Sequence, residues 1–270
     1  MSNIDSEAFR QFEHHGWQEI ASRYHDGFAA VTTQSAKALL DAAQVNQGSR
    51  VLDVACGPGY VAAAAHARGA IAIGIDFSSE MVEQAQGRYA GVDFQEGDAE
   101  QLAFPDSSFD AVVMNFGMLH LARPEQALSE AYRVLRRSGL MAFTVWDIPD
   151  NAIGFGIVIA AIQKYGDLAV PIPSGPPFFR FSDPNESMRV LTAAGFENVR
   201  VTRVPQVWTL PSPDTLFEVM YNGSVRNAAL LRGQKPDVLE KIRSEIRSEV
   251  QRAGSELSMP AVLASGQKLN

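Results

Sequence analysis

The stretch VLDVACGPGY, residues 51–60, opens on four residues of strand character and closes on a Gly-x-Gly turn. Helical grammar follows at once, because the Ala-rich run after it ends at Gly69, a residue suited to a C-terminal cap. A strand, a glycine turn and a helix in that order make one βα unit. Reading outward, the alternation continues, with strands expected at 51–54, 71–75, 92–95, 111–115 and 140–146. Ser78 and Ser79 can cap a helix that lines up Met81, Ala85 and Tyr89. A second helix, from Pro124, carries Ala127, Leu128, Ala131, Val134 and Leu135 at core spacing before Gly139 ends it. Right-handed crossovers between such strands give an α/β fold with a doubly wound, mostly parallel sheet.

The segments outside this alternation read differently. Residues 1–48 suggest two cap helices, the second over 35–45. The stretch 149–184 is rich in Pro, Gly and Phe, and IPSGPPFFRFSDP within it reads as irregular. A helix ending at Gly195, a strand near 199–204, helices over 214–231 and 236–251, and a strand at 260–265 complete the chain. The alternation of Arg and Glu in EKIRSEIRSEVQR describes a solvated helix face. These shifts divide the chain into a cap (1–48), a ligand-binding core (49–147) and the rest of the sheet with substrate-covering insertions (148–270), within one domain.

Composition removes several classes of function. A net charge of −8 over 270 residues leaves no basic stripe for nucleic acid. Cys56 stands alone, so neither an intrachain disulfide nor a thiolate metal cluster is expected, and no metal site is. The N-terminus lacks a signal pattern, and the longest apolar stretch, 152–162, is about half the ~20 residues of a membrane span. A cytoplasmic protein acting on a small molecule, as a monomer or homodimer, is the expectation.

The glycine turn by itself is ambiguous. Ala62 completes a Gly-x-Gly-x-x-Ala fingerprint, and Asp76 lies where a dinucleotide site places its ribose-binding acid. Asp53 argues against that ligand, since a carboxylate at the end of the first strand repels a pyrophosphate at the next helix N-terminus. It suits a cationic ligand instead. Asp53, Asp76 and Asp98 recur 23 and 22 residues apart, each at the end of a strand, and Asn115 ends the fourth. With spatial order three, two, one, four, these groups line the carboxyl edge of the sheet, where one elongated ligand would touch all of them.

Five segments, VLDVACGPGY, GIDFSSEMVEQA, GDAEQLAFPDSSFDAVV, NFGMLHL and EAYRVLRRSG, follow in order across residues 50–146. Together they resemble the type 11, UbiE-like branch of the class I S-adenosylmethionine-dependent methyltransferases. The resemblance implies a Rossmann-like sheet of seven strands, order 3-2-1-4-5-7-6 with the last strand antiparallel. It also implies S-adenosylmethionine as cofactor, S-adenosylhomocysteine as product, and binding through Asp53, Gly57, Gly59, Asp76, Phe77, Met81, Asp98, Ala99, Glu100, Asn115 and Phe116. The chain departs from the family at Arg137-Ser138-Gly139-Leu140, where Pro-Gly-Gly is usual.

Methyl transfer needs a positioned nucleophile and no covalent enzyme intermediate, and the sequence carries no Gly-x-Ser-x-Gly, His-Glu-x-x-His or Cys-x-x-Cys. His120, after the fourth strand, is the candidate base. Tyr24, Phe155, Phe179 and Trp208 are candidate walls for a partly hydrophobic or aromatic substrate, and Arg180 and Arg226 candidate partners for a substrate anion. Two other readings stay open on sequence alone: an NAD(P)-dependent oxidoreductase, and a non-catalytic S-adenosylmethionine-binding module.

Overall fold

A computed structural model describes residues 5–269 of the chain; the first four residues of the expected cap lie outside them. Among the described residues nine strands form: β1 (Arg50–Val54), β2 (Ile71–Asp76), β3 (Asp93–Glu96), β4 (Phe109–Asn115), β5 (Leu135–Trp146), β6 (Glu197–Val204), β7 (Val207–Thr209), β8 (Glu256–Ser258) and β9 (Ala261–Gln267). Seven of them make one sheet in the order β3-β2-β1-β4-β5-β9-β6, with β9 antiparallel to both neighbours. That is the expected order, the last strand sitting between the fifth and sixth. The ribbon of β7 and β8 is additional. Each of its strands has three residues, too short for a periodic signal.

Alternation along the strands distributes side chains to two cores, one on each face. Leu52, Val112, Met114, Met141 and Phe143 enter one buried cluster, while Val51, Ala111, Val113 and Ala142 enter the other. Both faces are therefore covered, which is why β1 and β4 read as nearly continuous apolar runs. The second core is built largely of small residues beneath the helices Ala36–Ala42, Tyr60–Ala67 and Ser79–Arg88. The first is larger and aromatic, and it extends into the C-terminal insertions.

The cap is one long helix, Ser6–Gly27, followed by the short helices Ala29–Thr32 and Ala36–Ala42, in place of the two expected. A helix, Ile153–Tyr165, for which no element was expected, precedes the segment read as irregular. It is apolar nearly all round because it packs under the helix Pro236–Ala253, burying Phe155, Val158, Ala161 and Ile162. The helix expected over 214–231 breaks into Thr215–Asn222 and Arg226–Arg232. Ser224 makes the corner: its hydroxyl donates to Met220 O at 2.6 Å and accepts from Ala228 N at 3.2 Å. Where the Pro-Gly-Gly is missing, β5 starts early, with Ser138 at φ 67° donating its N–H to Lys268 O at 2.6 Å.

Gly59 closes the turn after β1 at φ +85°, and a Cβ there would stand 2.6 Å from Phe94 Cζ and 3.0 Å from the Ala85 Cβ. Gly48 has a similar φ, +82°, with open space around it. Gly59→Ala is therefore expected to lower unfolding free energy by about 2–4 kcal/mol, combining left-handed strain with overpacking. Gly48→Ala should cost only about 1–2 kcal/mol, from strain alone. Urea denaturation of both variants checks this, and equal losses would contradict the packing argument.

Candidate functional site

The carboxyl ends of β1, β2 and β4 open into a cavity of about 1000 Å³, counting its mouth. A recess of about 330 Å³ adjoins it behind the glycine turn and shares Tyr24, Gly57 and Asn115 with it. Two non-glycine residues at the strand ends take left-handed backbone, Ala55 (φ 53°) after β1 and Phe116 (φ 57°) after β4. Both border the cavity, and strain of about 1–3 kcal/mol at each fits a ligand-binding edge.

Asp53 and Asp76 are both buried at this edge. Asp53 Oδ2 accepts from Ala62 N at 2.8 Å, whereas its Oδ1 is sealed from solvent and has no donor among the described residues. Burial, reinforced by the charge of Asp76, pushes the Asp53 carboxyl up to about 8. Asp76 accepts from Gly57 N and Ser78 N, each at 2.9 Å, and burial pushes it up to about 6 despite those bonds. An orphaned carboxylate oxygen bordering the recess suits an ammonium group, and the remaining lone pairs of Asp76 suit hydroxyls. Asp98 accepts from Glu100 N at 2.9 Å through Oδ1 and pairs through Oδ2 with Arg10 at 2.7 Å.

The far end of the cavity is aromatic, with Trp17, Phe28, Trp146, Phe155 and Phe178 among its walls. His120 sits there on the short turn after β4, and its Nδ1 lies 2.9 Å from Glu13 Oε2. Glu13 also receives Arg226 Nε at 2.6 Å and Trp17 Nε1 at 3.2 Å. Tyr24 borders both the cavity and the recess with its hydroxyl on Thr32 Oγ1 at 3.3 Å, and burial raises it to about 12.

Several residues expected at the site from sequence occupy other places. Glu100 has both oxygens on Arg123, from N and Nε, each at 2.7 Å, and stays outside the cavity. Gly59 packs under the turn and does not border the cavity. Arg180 is held by Glu125 and Glu186 away from it, and Trp208 is buried against Phe28 with centroids 5.1 Å apart. Phe179 lies behind the wall, against Phe155 and Phe178. Arg226 reaches the cavity with Nη1 on Pro176 O (2.9 Å) and Nη2 on Leu119 O (2.6 Å), bonds that compete with a substrate anion. The Asn115 side chain is likewise engaged, accepting from Ser35 Oγ and Thr144 Oγ1 and donating to Thr32 O. Gly57, Phe77, Met81, Ala99, Phe116 and Phe155 do border the cavity. Glu13, Trp17 and Arg10 were not anticipated. The available signal was a glutamate inside the apolar stripe Phe9, Glu13, Trp17 of the first helix, the spacing of a buried face.

Among the described residues no His, Cys, Asp and Glu cluster is able to hold a metal, and no helix is long and apolar enough to cross a membrane.

Residues 52–143 match the family described as Methyltransferase domain. A demethylmenaquinone methyltransferase of Clavibacter sepedonicus is 40% identical over 168 residues, 56% of this chain and 67% of the relative. A malonyl-acyl-carrier-protein O-methyltransferase of Erwinia billingiae is 30% identical over 73% of this chain and 72% of its own length. Other demethylmenaquinone methyltransferases are matched over only 44–47% of their length. Among solved structures, a phosphoethanolamine N-methyltransferase of Haemonchus contortus, bound to S-adenosylhomocysteine, superposes with TM-score 0.60 at 18% identity. It covers 97% of this chain and 60% of that one, a likeness of fold alone. With a glycine turn, aligned carboxylates and relatives of this kind in one frame, the chain belongs to the class I S-adenosylmethionine-dependent methyltransferases, in their UbiE-like branch.

Proposed function

We propose that this methyltransferase acts on an uncharged aromatic small molecule with an acidic hydroxyl, of the quinol or phenol type, and that His120 is its general base. The observation that carries the reading is His120 itself, which borders the aromatic end of the cavity with Nδ1 bonded to Glu13 and Nε2 without a protein partner among the described residues. The commitment of Arg226 to Glu13 and two carbonyls speaks against a carboxylate or phosphate substrate. The name of the Clavibacter relative supports a quinone-type acceptor.

When bound, S-adenosylmethionine supplies an electrophilic methyl on a sulfonium. Asp53 would hold the ammonium of its tail, Asp76 its ribose hydroxyls, and Asp98 with Ala99 its purine, flanked by Phe77 and Met81. Gly57 leaves open space where a Cβ would stand, with nothing within 4 Å of that position. The aromatic walls exclude water and orient a flat acceptor, while Nε2 of His120 takes the hydroxyl proton as the nucleophile forms. The oxidoreductase finds no support among the relatives, whose names are those of methyltransferases.

Calorimetry with S-adenosylmethionine, S-adenosylhomocysteine and NADH should show binding of the two adenosyl ligands, lost in Asp76→Ala, with no heat from NADH. Binding of NADH alone would overturn the reading.

Proton linkage tests Asp53 directly. Its carboxyl, pushed up to about 8, is mostly protonated at neutral pH in the ligand-free protein, and an ammonium beside it favours the ionised form. Binding of S-adenosylhomocysteine near pH 7 should therefore release about one proton, read from calorimetry in buffers of different ionisation heat. Affinity should rise with pH toward 8, and Asp53→Asn should abolish the release. Proton uptake, or no exchange, would rule out this contact.

His120→Gln should lower methyl transfer to phenolic and quinol acceptors by about 10²-fold or more. Its affinity for S-adenosylhomocysteine should remain within about twofold of wild type, as His120 lies at the acceptor end. Undiminished turnover would exclude His120 as the base.

A further inference from the structure

Glu13 is an unusual residue to find where it is. It sits midway along the first helix, between Phe9 and Trp17 on the buried face, and is fully inaccessible to solvent. A carboxylate taken out of water is tolerated only when its oxygens are fully engaged. Here they are: Oε1 receives Arg226 Nε at 2.6 Å, and Oε2 receives Trp17 Nε1 at 3.2 Å and faces His120 Nδ1 at 2.9 Å. Burial alone would raise this carboxyl, yet His120 and Arg226 together hold it below its ordinary value.

Arg226 is fixed as firmly as its partner. Its Nη1 and Nη2 each donate to a carbonyl, Pro176 O and Leu119 O, and its guanidinium lies 4.4 Å from the ring centre of Phe9 and 5.5 Å from that of Phe178. An arginine does not give up its proton in a protein, so Glu13 stays ionised and is able only to accept. The nitrogen facing an obligate acceptor must be a donor. His120 is thereby required to carry a proton on Nδ1, which in the neutral ring leaves the lone pair on Nε2.

We propose that Glu13 is a positioning residue that holds His120 as the Nδ1–H tautomer with the Nε2 lone pair toward the cavity, and that Arg226 is the counter-ion that keeps Glu13 an acceptor. The catalytic sense of this arrangement rests on His120 being the base, whereas the tautomer is a property of the ligand-free protein. Ring orientation is fixed as well, by Trp17 at 4.8 Å and 86° and by Phe178 at 6.0 Å and 78°. The other ionisable groups bordering the cavity, Asp76, Asp98 and Tyr24, make no hydrogen bond to the imidazole; they bond Gly57 and Ser78, Glu100 and Arg10, and Thr32.

A merely structural Glu13–Arg226 pair would tie the first helix to the C-terminal insertion and leave the tautomer of His120 indifferent. The distinguishing experiment is a long-range nitrogen–proton correlation on the full-length, ligand-free protein with isotope-labelled histidine, under mildly alkaline conditions. His120 is assigned by the signal missing in His120→Gln. In the wild type, Nδ1–H should outweigh Nε2–H by about ten to one or more, the preference expected of a charge-assisted bond. In Glu13→Gln the amide is able to donate or accept, and the ratio should fall to within about threefold of even. A wild-type ring mainly in the Nε2–H form overturns the proposal without any variant, so a failure of Glu13→Gln to fold does not protect it. An unchanged ratio in folded Glu13→Gln overturns it too. The tautomer and the turnover of His120→Gln are separate readouts: turnover undiminished with the Nδ1–H form intact would remove the base and with it the catalytic sense of the positioning.

Discussion

Strand β1 is hydrogen-bonded to a parallel neighbour on each side, and the position of every carboxylate in the cavity follows from that register. Asp53 lies opposite Gly74 of β2 and Val113 of β4, one residue short of the end of its strand. The chain leaves β1 toward β2 on one side and reaches β4 only after β3 is in place on the other. The loops after β1 and β4 therefore part, and the crevice between them is where an α/β sheet binds its ligands. The same register buries Asp53 and Asp76 near one another, and neither forms a salt bridge among the described residues. Both carboxyls are raised by burial, so the folded chain keeps protons that the unfolded chain has already lost. The contribution of these two groups to stability consequently falls as pH climbs from about 4 toward 8, and a bound cation offsets that loss. The fold carries its binding edge as a standing internal cost.

Local grammar revealed the sheet. Strand β1, the glycine turn and the recurrence of Asp53, Asp76 and Asp98 are each written within a few residues, and the five central strands were legible to within a few positions. The helix Ile153–Tyr165 was not, because its sequence is apolar on nearly every face and lacks the polar stripe that gives a helix its period. The partners of the charged residues were less legible still. Arg180 and Arg226 look alike as cations on a substrate-facing segment, yet each is already satisfied by protein groups. Glu13 finds His120 and Arg226 across separations of 107 and 213 residues, a distance over which composition and spacing carry no information. The end of the cavity built from consecutive βα units was thus far more legible than the aromatic end, assembled from remote pieces.

The two ends of the cavity are drawn from different parts of the chain. Residues at the cofactor end fall between Asp53 and Phe116, inside the segment shared with the family. The acceptor end draws on the first helix, on the turn after β4 and on the insertions around Phe155, Phe178 and Arg226. Those three sources look exchangeable, but Glu13, His120 and Arg226 come one from each and complete one another's bonding. A chimera whose N-terminal helix lacks a glutamate at this place would strand a largely buried arginine and an imidazole without their shared acceptor. The aromatic walls are therefore freer to change than the three residues, because a substitution in a wall leaves the shared bonding of Glu13, His120 and Arg226 intact.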